Sequence, residues 1–165
     1  MSKSLFLLRH GQALDKLPDQ RDIDRQLNAI GLQNASRMGM KLHEDEQKFD
    51  IILSSTAERA MTTASLVAEQ LGYDPSRVHK NEEIYDASVR TLLQVVNRLK
   101  DSWDKVLLVG HNPAISYLAE YVSNAEIGSM ATCGLVELRF KTPWNEITEG
   151  SGKFADYIYP DLLNF

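Results

Sequence analysis

Cysteine is nearly absent from this chain of 165 residues, since Cys133 is the only one. A single cysteine excludes a disulfide framework within one chain and a zinc site built from cysteine thiolates. Long apolar runs are also missing, because none approaches the roughly 18 residues that a membrane-spanning helix needs. The first apolar run, residues 5–8, is too short for a signal peptide. We therefore expect a soluble, cytoplasmic protein with no membrane partner.

Basic side chains are scarce as well. Lys and Arg number 18 against 23 Asp and Glu, so the formal net charge is −5. Nucleic-acid binding needs many basic side chains facing phosphates, and the composition therefore argues against a nucleic-acid partner. Hydrophobic residues make up 43% and charged residues 25%, which is the composition of a globular protein. The length predicts a single domain over residues 1–165.

Short apolar runs alternate with amphipathic stretches, a pattern typical of an α/β domain. The runs 5–8, 50–53 and 106–109 predict strands that are buried on both faces, as in a parallel sheet. Alternating polar and apolar residues over 136–140 predict a half-exposed strand, and residues 153–159 are predicted to pair with it at the sheet edge. The expected fold is a three-layer α/β/α sandwich whose mostly parallel sheet has an antiparallel edge.

Four helices are predicted from apolar residues that recur every three or four positions. They begin near Leu32, Ala57, Val89 and Pro113. In the first helix, Leu32 is expected on the buried face with Ala35, Met38 and Leu42. In the fourth, Asn112 is expected at the N-cap with Pro113 as the first helical residue. Residues 12–28 are polar and predict a long loop.

Polar side chains follow three of the predicted buried strands. Arg9 and His10 come after the first strand, Arg59 lies shortly beyond the second, and His111 follows the third. Because ligands bind beyond the carboxyl ends of the strands in an open α/β sheet, these side chains are expected to converge. The arginine fork matches two phosphate oxygens at once, and nearby helix N-termini add partial positive charge. The implied ligand is a phosphoryl group.

Two other patterns carry less weight. Cys133 and Arg139 have the Cys-x5-Arg spacing of cysteine-dependent phosphatases, but the residues between them alternate like a strand and do not form a phosphate-binding loop. His43 and His79 lie at no strand end and have no metal-binding spacing. We therefore expect neither a metal ion nor a cofactor.

The polar strand ends lie in motifs that resemble those of the histidine phosphatase superfamily, which includes phosphoglycerate mutase. Residues 7–11, Leu-Leu-Arg-His-Gly, look like its first signature, while 54–64 and 109–113 are similar to its second and third motifs. The short chain and the Arg-Gln-Leu-Asn sequence at 25–28, followed by Gly31, look like the SixA-type phosphohistidine phosphatases, which usually have Pro and Thr in place of this Gln and Asn. The resemblance covers about residues 4–140 and implies a phosphoglycerate mutase-like fold.

The resemblance also implies a mechanism. His10 would attack phosphorus and become phosphohistidine, and water would then release inorganic phosphate. Arg9 and Arg59 would hold the phosphoryl oxygens and disfavour the imidazolium form of His10, which lowers its pKa. His111 would donate a hydrogen bond to the same oxygens.

Three further residues are candidates for phosphoryl binding. Arg25 could lie at the rim of the phosphate site, although a salt bridge with Asp22 or Asp24 accounts for it equally well. Gln12 and Asn112 are candidates by position alone.

The leaving group separates the functional alternatives. An ester would need a proton donor, and the candidates Glu82, Glu83 and Asp86 match no motif. An imidazole leaves more easily, since its unperturbed pKa is about 6.5. The missing acid adds mild support to what the resemblance implies, namely a SixA-like phosphohistidine phosphatase that acts as a monomer on a phosphohistidine-bearing protein, such as a histidine phosphotransfer domain. The alternatives are a phosphatase or mutase for small phosphate esters and a non-catalytic phosphoryl-binding module.

Overall fold

The structure, a computed structural model, describes residues 2–163 and is built around one six-stranded sheet. The strands are β1 Lys3–Arg9, β2 Ile51–Ser54, β3 His79–Lys80, β4 Lys105–Gly110, β5 Leu135–Phe140 and β6 Gly152–Ile158. Their order in the sheet is β3-β2-β4-β1-β5-β6. The first four strands are parallel, and β5 runs antiparallel to both β1 and β6. The predicted mostly parallel sheet with an antiparallel edge is confirmed.

Helices cover both faces of the sheet and form the outer two layers. They are α1 Ala29–Glu44, α2 Glu58–Leu71, α3 Val89–Asn97 and α4 Ala114–Ser123. In β1, Leu5 and Leu7 pack into the core with α3 and α4, whereas Phe6 and Leu8 pack into the core with α1 and α2. The unbroken apolar run of this strand follows from its burial on both sides.

The register of the parallel strands brings their carboxyl ends to the same level. Arg9 at the end of β1 is paired with Gly110 of β4, and Ser54 of β2 is paired with Val109 of β4. The residues that follow these three strands therefore emerge side by side, as expected for the ligand-binding edge of an α/β sheet.

Two details of the helices differ from the sequence-based expectations. Leu32 does not belong to the buried face of α1, because 43% of its surface is exposed and Gly31 is buried there instead. A Cβ atom on Gly31 would lie 2.1 Å from the backbone oxygen of Gln12, so only glycine allows this close approach. Pro113, and not Asn112, occupies the N-cap position of α4, since Asn112 uses its side chain elsewhere.

In the antiparallel part of the sheet, the predicted pairing of the two strands is confirmed, but only one of them is an edge strand. Only β6 lies at the edge, because β5 is hydrogen-bonded on one side to β1 and on the other to β6. The opposite edge is the two-residue strand β3. Within residues 2–163, no helix combines the length and the apolar character that crossing a membrane requires.

Candidate active site

A cavity of about 380 Å³ opens where β1, β2 and β4 end. Its lining includes all four side chains predicted to converge, namely Arg9, His10, Arg59 and His111. The three weaker candidates, Gln12, Arg25 and Asn112, line the same cavity. The structure thus brings together residues that lie more than a hundred positions apart in the sequence, such as Arg9 and Asn112.

The loop after β1 is held between two helices. The backbone N–H of Gly11 donates to Thr63 Oγ1 over 3.0 Å, and this hydroxyl donates to the backbone oxygen of Arg59 over 2.8 Å. A Cβ atom on Gly11 would lie 2.9 Å from the backbone oxygen of Gly31, so α1 packs directly against the loop. These contacts place His10 and Arg59 on a shared, rigid support.

His10 is arranged as a neutral imidazole with one free lone pair. Its Nδ1 lies 2.7 Å from the backbone oxygen of Gly11. A carbonyl oxygen can only accept, so Nδ1 carries the proton and Nε2 is unprotonated in the neutral ring. Burial lowers the pKa of His10 to about 4, and the nearby arginines add to this effect. Burial is thus a larger cause of the lowered pKa than the arginines, which were the expected cause.

His111 lies beside His10, with their ring centroids 5.1 Å apart. Its Nε2 is 2.7 Å from Ser55 Oγ, and its Nδ1 is buried without a hydrogen-bond partner among the described residues. Burial and the neighbouring His10 and Arg59 lower the pKa of His111 to about 3. Both histidines are therefore neutral at physiological pH.

Arg59 is buried and Arg9 is partly buried, and each is anchored at one end of the guanidinium group. Arg9 Nη1 donates to the backbone oxygen of Met130 over 2.8 Å. Arg59 donates from Nη1 to the backbone oxygen of Asp22 over 2.8 Å and from Nη2 to its Oδ2 over 2.9 Å. The Nε atoms of both arginines are buried and find no partner within residues 2–163. Leaving a buried donor unpaired costs about 1–3 kcal/mol of folding free energy. These two Nε–H groups are therefore suited to a ligand that accepts hydrogen bonds.

Tyr85 is a cavity residue that the sequence analysis missed. Its hydroxyl donates to Asp22 Oδ2 over 2.7 Å, and its ring meets that of His111 edge-on at 5.6 Å between centroids. This hydrogen bond, together with those from Arg59 and Arg25, lowers the pKa of Asp22 to about 2. Tyr85 and Asp22 therefore join two walls of the cavity that the sequence left unconnected. No motif or periodicity singled out Tyr85.

The weaker candidates make contacts of their own. Arg25 forms the predicted salt bridge, with Nη1 3.3 Å from Asp22 Oδ1, and also lines the cavity, so its role in phosphate binding stays a prediction. Gln12 Oε1 accepts a hydrogen bond from Asn28 Nδ2 over 2.7 Å. The Asn112 amide donates to Ser129 and Met130 and accepts from Ser116, so it orients the carbonyl that holds Arg9.

The three acidic candidates occupy different environments. Asp86 lines the cavity. Glu83 forms a salt bridge with Arg98 at 2.9 Å, and neither it nor Glu82 is part of the cavity lining. Asp86 is thus the acid of this group that could reach a bound substrate.

Cys133 and Arg139 do not line the cavity, although the backbone N–H of Cys133 donates to the backbone oxygens of Arg9 and His10. Burial raises the pKa of the Cys133 thiol to about 12, and Arg139 pairs with Glu137 on β5, as expected from rejecting the Cys-x5-Arg pattern. In the part of the chain that the structure describes, no three His, Cys, Asp or Glu side chains form a group that could hold a metal ion.

Comparison with known proteins gives consistent results. Residues 5–88 match the family described as the histidine phosphatase superfamily, branch 1. An uncharacterised protein of Mycobacterium tuberculosis is 30% identical over 136 residues, which cover 82% of each chain. A structure from Agrobacterium tumefaciens that has been assigned as the phosphohistidine phosphatase SixA is 27% identical, with a TM-score of 0.82, over 96% of this chain and 98% of that one. The protein histidine phosphatase SixA complexed with tungstate has a TM-score of 0.84 at 22% identity, over 98% and 99% of the two chains.

Proposed function

The chain belongs to the histidine phosphatase superfamily, and from that premise we propose that it hydrolyses phosphohistidine in a partner protein through a phosphorylated His10. The observation that carries the proposal is a set of three buried nitrogens, Arg9 Nε, Arg59 Nε and His111 Nδ1. They belong to residues that line the same cavity as His10, and none has a hydrogen-bond partner among residues 2–163. A phosphoryl group offers three acceptor oxygens, which match this set in number and in charge.

The reaction proceeds in two displacements. In the first, the Nε2 lone pair of His10 forms a bond to phosphorus, and the bond from phosphorus to the leaving imidazole breaks with its electron pair. In the second, the oxygen of water forms a bond to phosphorus, the bond from phosphorus to His10 Nε2 breaks with its electron pair returning to Nε2, and the released inorganic phosphate keeps the two protons of the water. Arg9, Arg59 and His111 stabilise the charge on the phosphoryl oxygens in both steps. Dividing one displacement into two in this way is the advantage of a covalent intermediate.

The size of the cavity is compatible with a phosphorylated side chain as the substrate. A volume of about 380 Å³ is near the small end of the range for ligand pockets, which runs from roughly 300 to 1,000 Å³. A phosphoryl group and an imidazole fit within such a space, and the rest of a protein substrate would remain outside. The similarity to structures named SixA supports the same substrate class.

The test combines trapping of the intermediate with a comparison of substrates. The native protein should carry acid-labile phosphate on His10 after rapid quenching, and His10→Ala should abolish turnover while circular dichroism stays native. His43→Ala is the matched control, because His43 is an exposed histidine on α1, outside the cavity. Near-native activity of His10→Ala would show that the covalent mechanism is wrong.

Substrate class is decided by kcat/KM. We expect the value for a phosphohistidine-bearing protein to exceed that for any free sugar phosphate by at least about tenfold, which corresponds to about 1.4 kcal/mol. Equal or higher efficiency on a sugar phosphate would favour the second candidate, a phosphatase for small phosphate esters. The position of Asp86 in the cavity is the observation that supports this alternative, since an ester needs a general acid. Binding of phosphate without any turnover would instead indicate a phosphoryl-binding module.

A further inference from the structure

Ser55 contacts the active site through a hydrogen bond to His111 whose direction depends on the tautomer of that histidine. This serine follows β2 directly and is fully buried. Its Oγ accepts a hydrogen bond from the backbone N–H of Ala57 over 3.1 Å, at the start of α2. The same Oγ lies 2.7 Å from His111 Nε2. Because the N–H of Ala57 can only donate, the hydroxyl hydrogen of Ser55 remains available for the histidine.

We propose that Ser55 donates its hydroxyl hydrogen to His111 Nε2 and thereby holds the proton of the neutral imidazole on Nδ1. In a neutral histidine one ring nitrogen donates and the other accepts, and the hydrogen bond at one nitrogen selects the role of the other. With Nε2 as the acceptor, Nδ1 must be the donor. This is the nitrogen of His111 that is buried with no partner among the described side chains.

With the proton on Nδ1, His111 can donate a hydrogen bond to a phosphoryl oxygen. With the opposite tautomer, Nδ1 would present a lone pair to the negatively charged phosphoryl oxygens and would repel them. A neutral ring also cannot supply both nitrogens as donors, as an imidazolium would. Ser55 is therefore a positioning residue that acts on the substrate through His111, and its catalytic importance rests on the proposed function.

The tautomer itself can be measured without any substrate. Long-range proton–nitrogen correlation spectra of nitrogen-labelled protein distinguish a protonated from an unprotonated ring nitrogen, and His111→Gln identifies the His111 signals. The native protein should show a protonated Nδ1 and an unprotonated Nε2. In Ser55→Ala the proton should redistribute towards Nε2, because the hydroxyl donor is gone.

Turnover provides the second readout. Loss of one preorganised donor lowers kcat by about 10²–10³-fold, which is the loss expected for His111→Ala. The loss of kcat in Ser55→Ala should be smaller than in His111→Ala, about tenfold or more, because in part of the molecules His111 keeps the proton on Nδ1. Ser54→Ala is the matched control, since Ser54 is an equally buried serine whose Oγ donates to the backbone oxygen of Ser55. It should retain the native tautomer and native turnover.

Conservative variants separate tautomer control from simple packing. Ser55→Thr keeps the hydroxyl and should restore both the Nδ1-protonated signal and turnover. If the added methyl group prevents folding, Ser55→Cys provides a weaker donor and an intermediate effect. A native spectrum with the proton on Nε2 would overturn the inference, and so would a Ser55→Ala variant with unchanged tautomer and turnover. Neither result would remove the phosphorylated His10, whereas absence of that intermediate would refute the proposed function and leave the tautomer assignment intact.

Discussion

Replacement of Arg59 tests whether the cavity works as a preorganised anion site. Arg59→Ala removes the buried Nε, which has no partner among residues 2–163, and both contacts to Asp22. Removing one preorganised donor typically costs about 10²–10³ in kcat, or roughly 2.7–4 kcal/mol. Folding should suffer less, by about 1 kcal/mol, because the Asp22 side chain is 46% exposed and can be hydrated once its partner is gone.

The assay follows phosphate release from a phosphohistidine protein in steady state and formation of phosphorylated His10 in a single turnover. Both rates should fall together in Arg59→Ala. Arg59→Lys should recover only part of the loss, because an ammonium group cannot reproduce the planar fork. Arg139→Ala, which removes an exposed arginine paired with Glu137 on β5, should leave both rates at the native level.

Two outcomes would refute this reasoning. A rate for Arg59→Ala within tenfold of native would show that the buried Nε does not stabilise the transition state, since about 10²–10³ is expected. Full recovery in Arg59→Lys would show that the site requires positive charge and not the geometry of the guanidinium.

Two further predictions concern protonation. The pKa values of His10 and His111 are lowered to about 4 and about 3 from 6.5, so between pH 6.5 and 4 the unfolded chain binds more protons than the folded one. The free energy of unfolding should therefore decrease as the pH falls through this window, by up to about 1.4 kcal/mol per pH unit for each histidine. Urea titrations of the native protein and of His10→Ala at several pH values measure this decrease. A free energy of unfolding that does not change with pH would show that burial does not lower these pKa values. Asp86→Asn should leave phosphohistidine turnover near native while lowering any ester hydrolysis by about 10²-fold. An equal loss of turnover on both substrates would show that the leaving imidazole also needs a general acid.

The resemblance and the apolar runs together predicted which residues meet. Continuous apolar runs marked the parallel strands, and polar residues at their ends marked the site, because strands buried on both faces can place polar side chains only beyond their ends. The cap of α4 was predicted wrongly. Asn112 has the right side chain for an N-cap, but its amide is used by Ser129 and Met130, which come from a loop that local sequence rules do not take into account.

Several properties of the site depended on packing. Tyr85 reaches Asp22 across the cavity, and Ser55 reaches His111 from a neighbouring strand end, over distances of 2.7 Å in both cases. Hydrogen bonds of this kind require atoms to be placed within a few tenths of an ångström, which motif spacing does not specify.

The amino-acid sequence by itself determined which arginines and histidines stand at the ends of the buried strands, and from them it predicted a phosphoryl group as the ligand. The tertiary structure alone decided how those groups are protonated and what holds them. The largest cause of the lowered pKa of His10 is burial, which arises from every element packed around it and belongs to no single residue. Composition and spacing describe the chain one position at a time, whereas burial and hydrogen-bond direction exist only once the chain has folded.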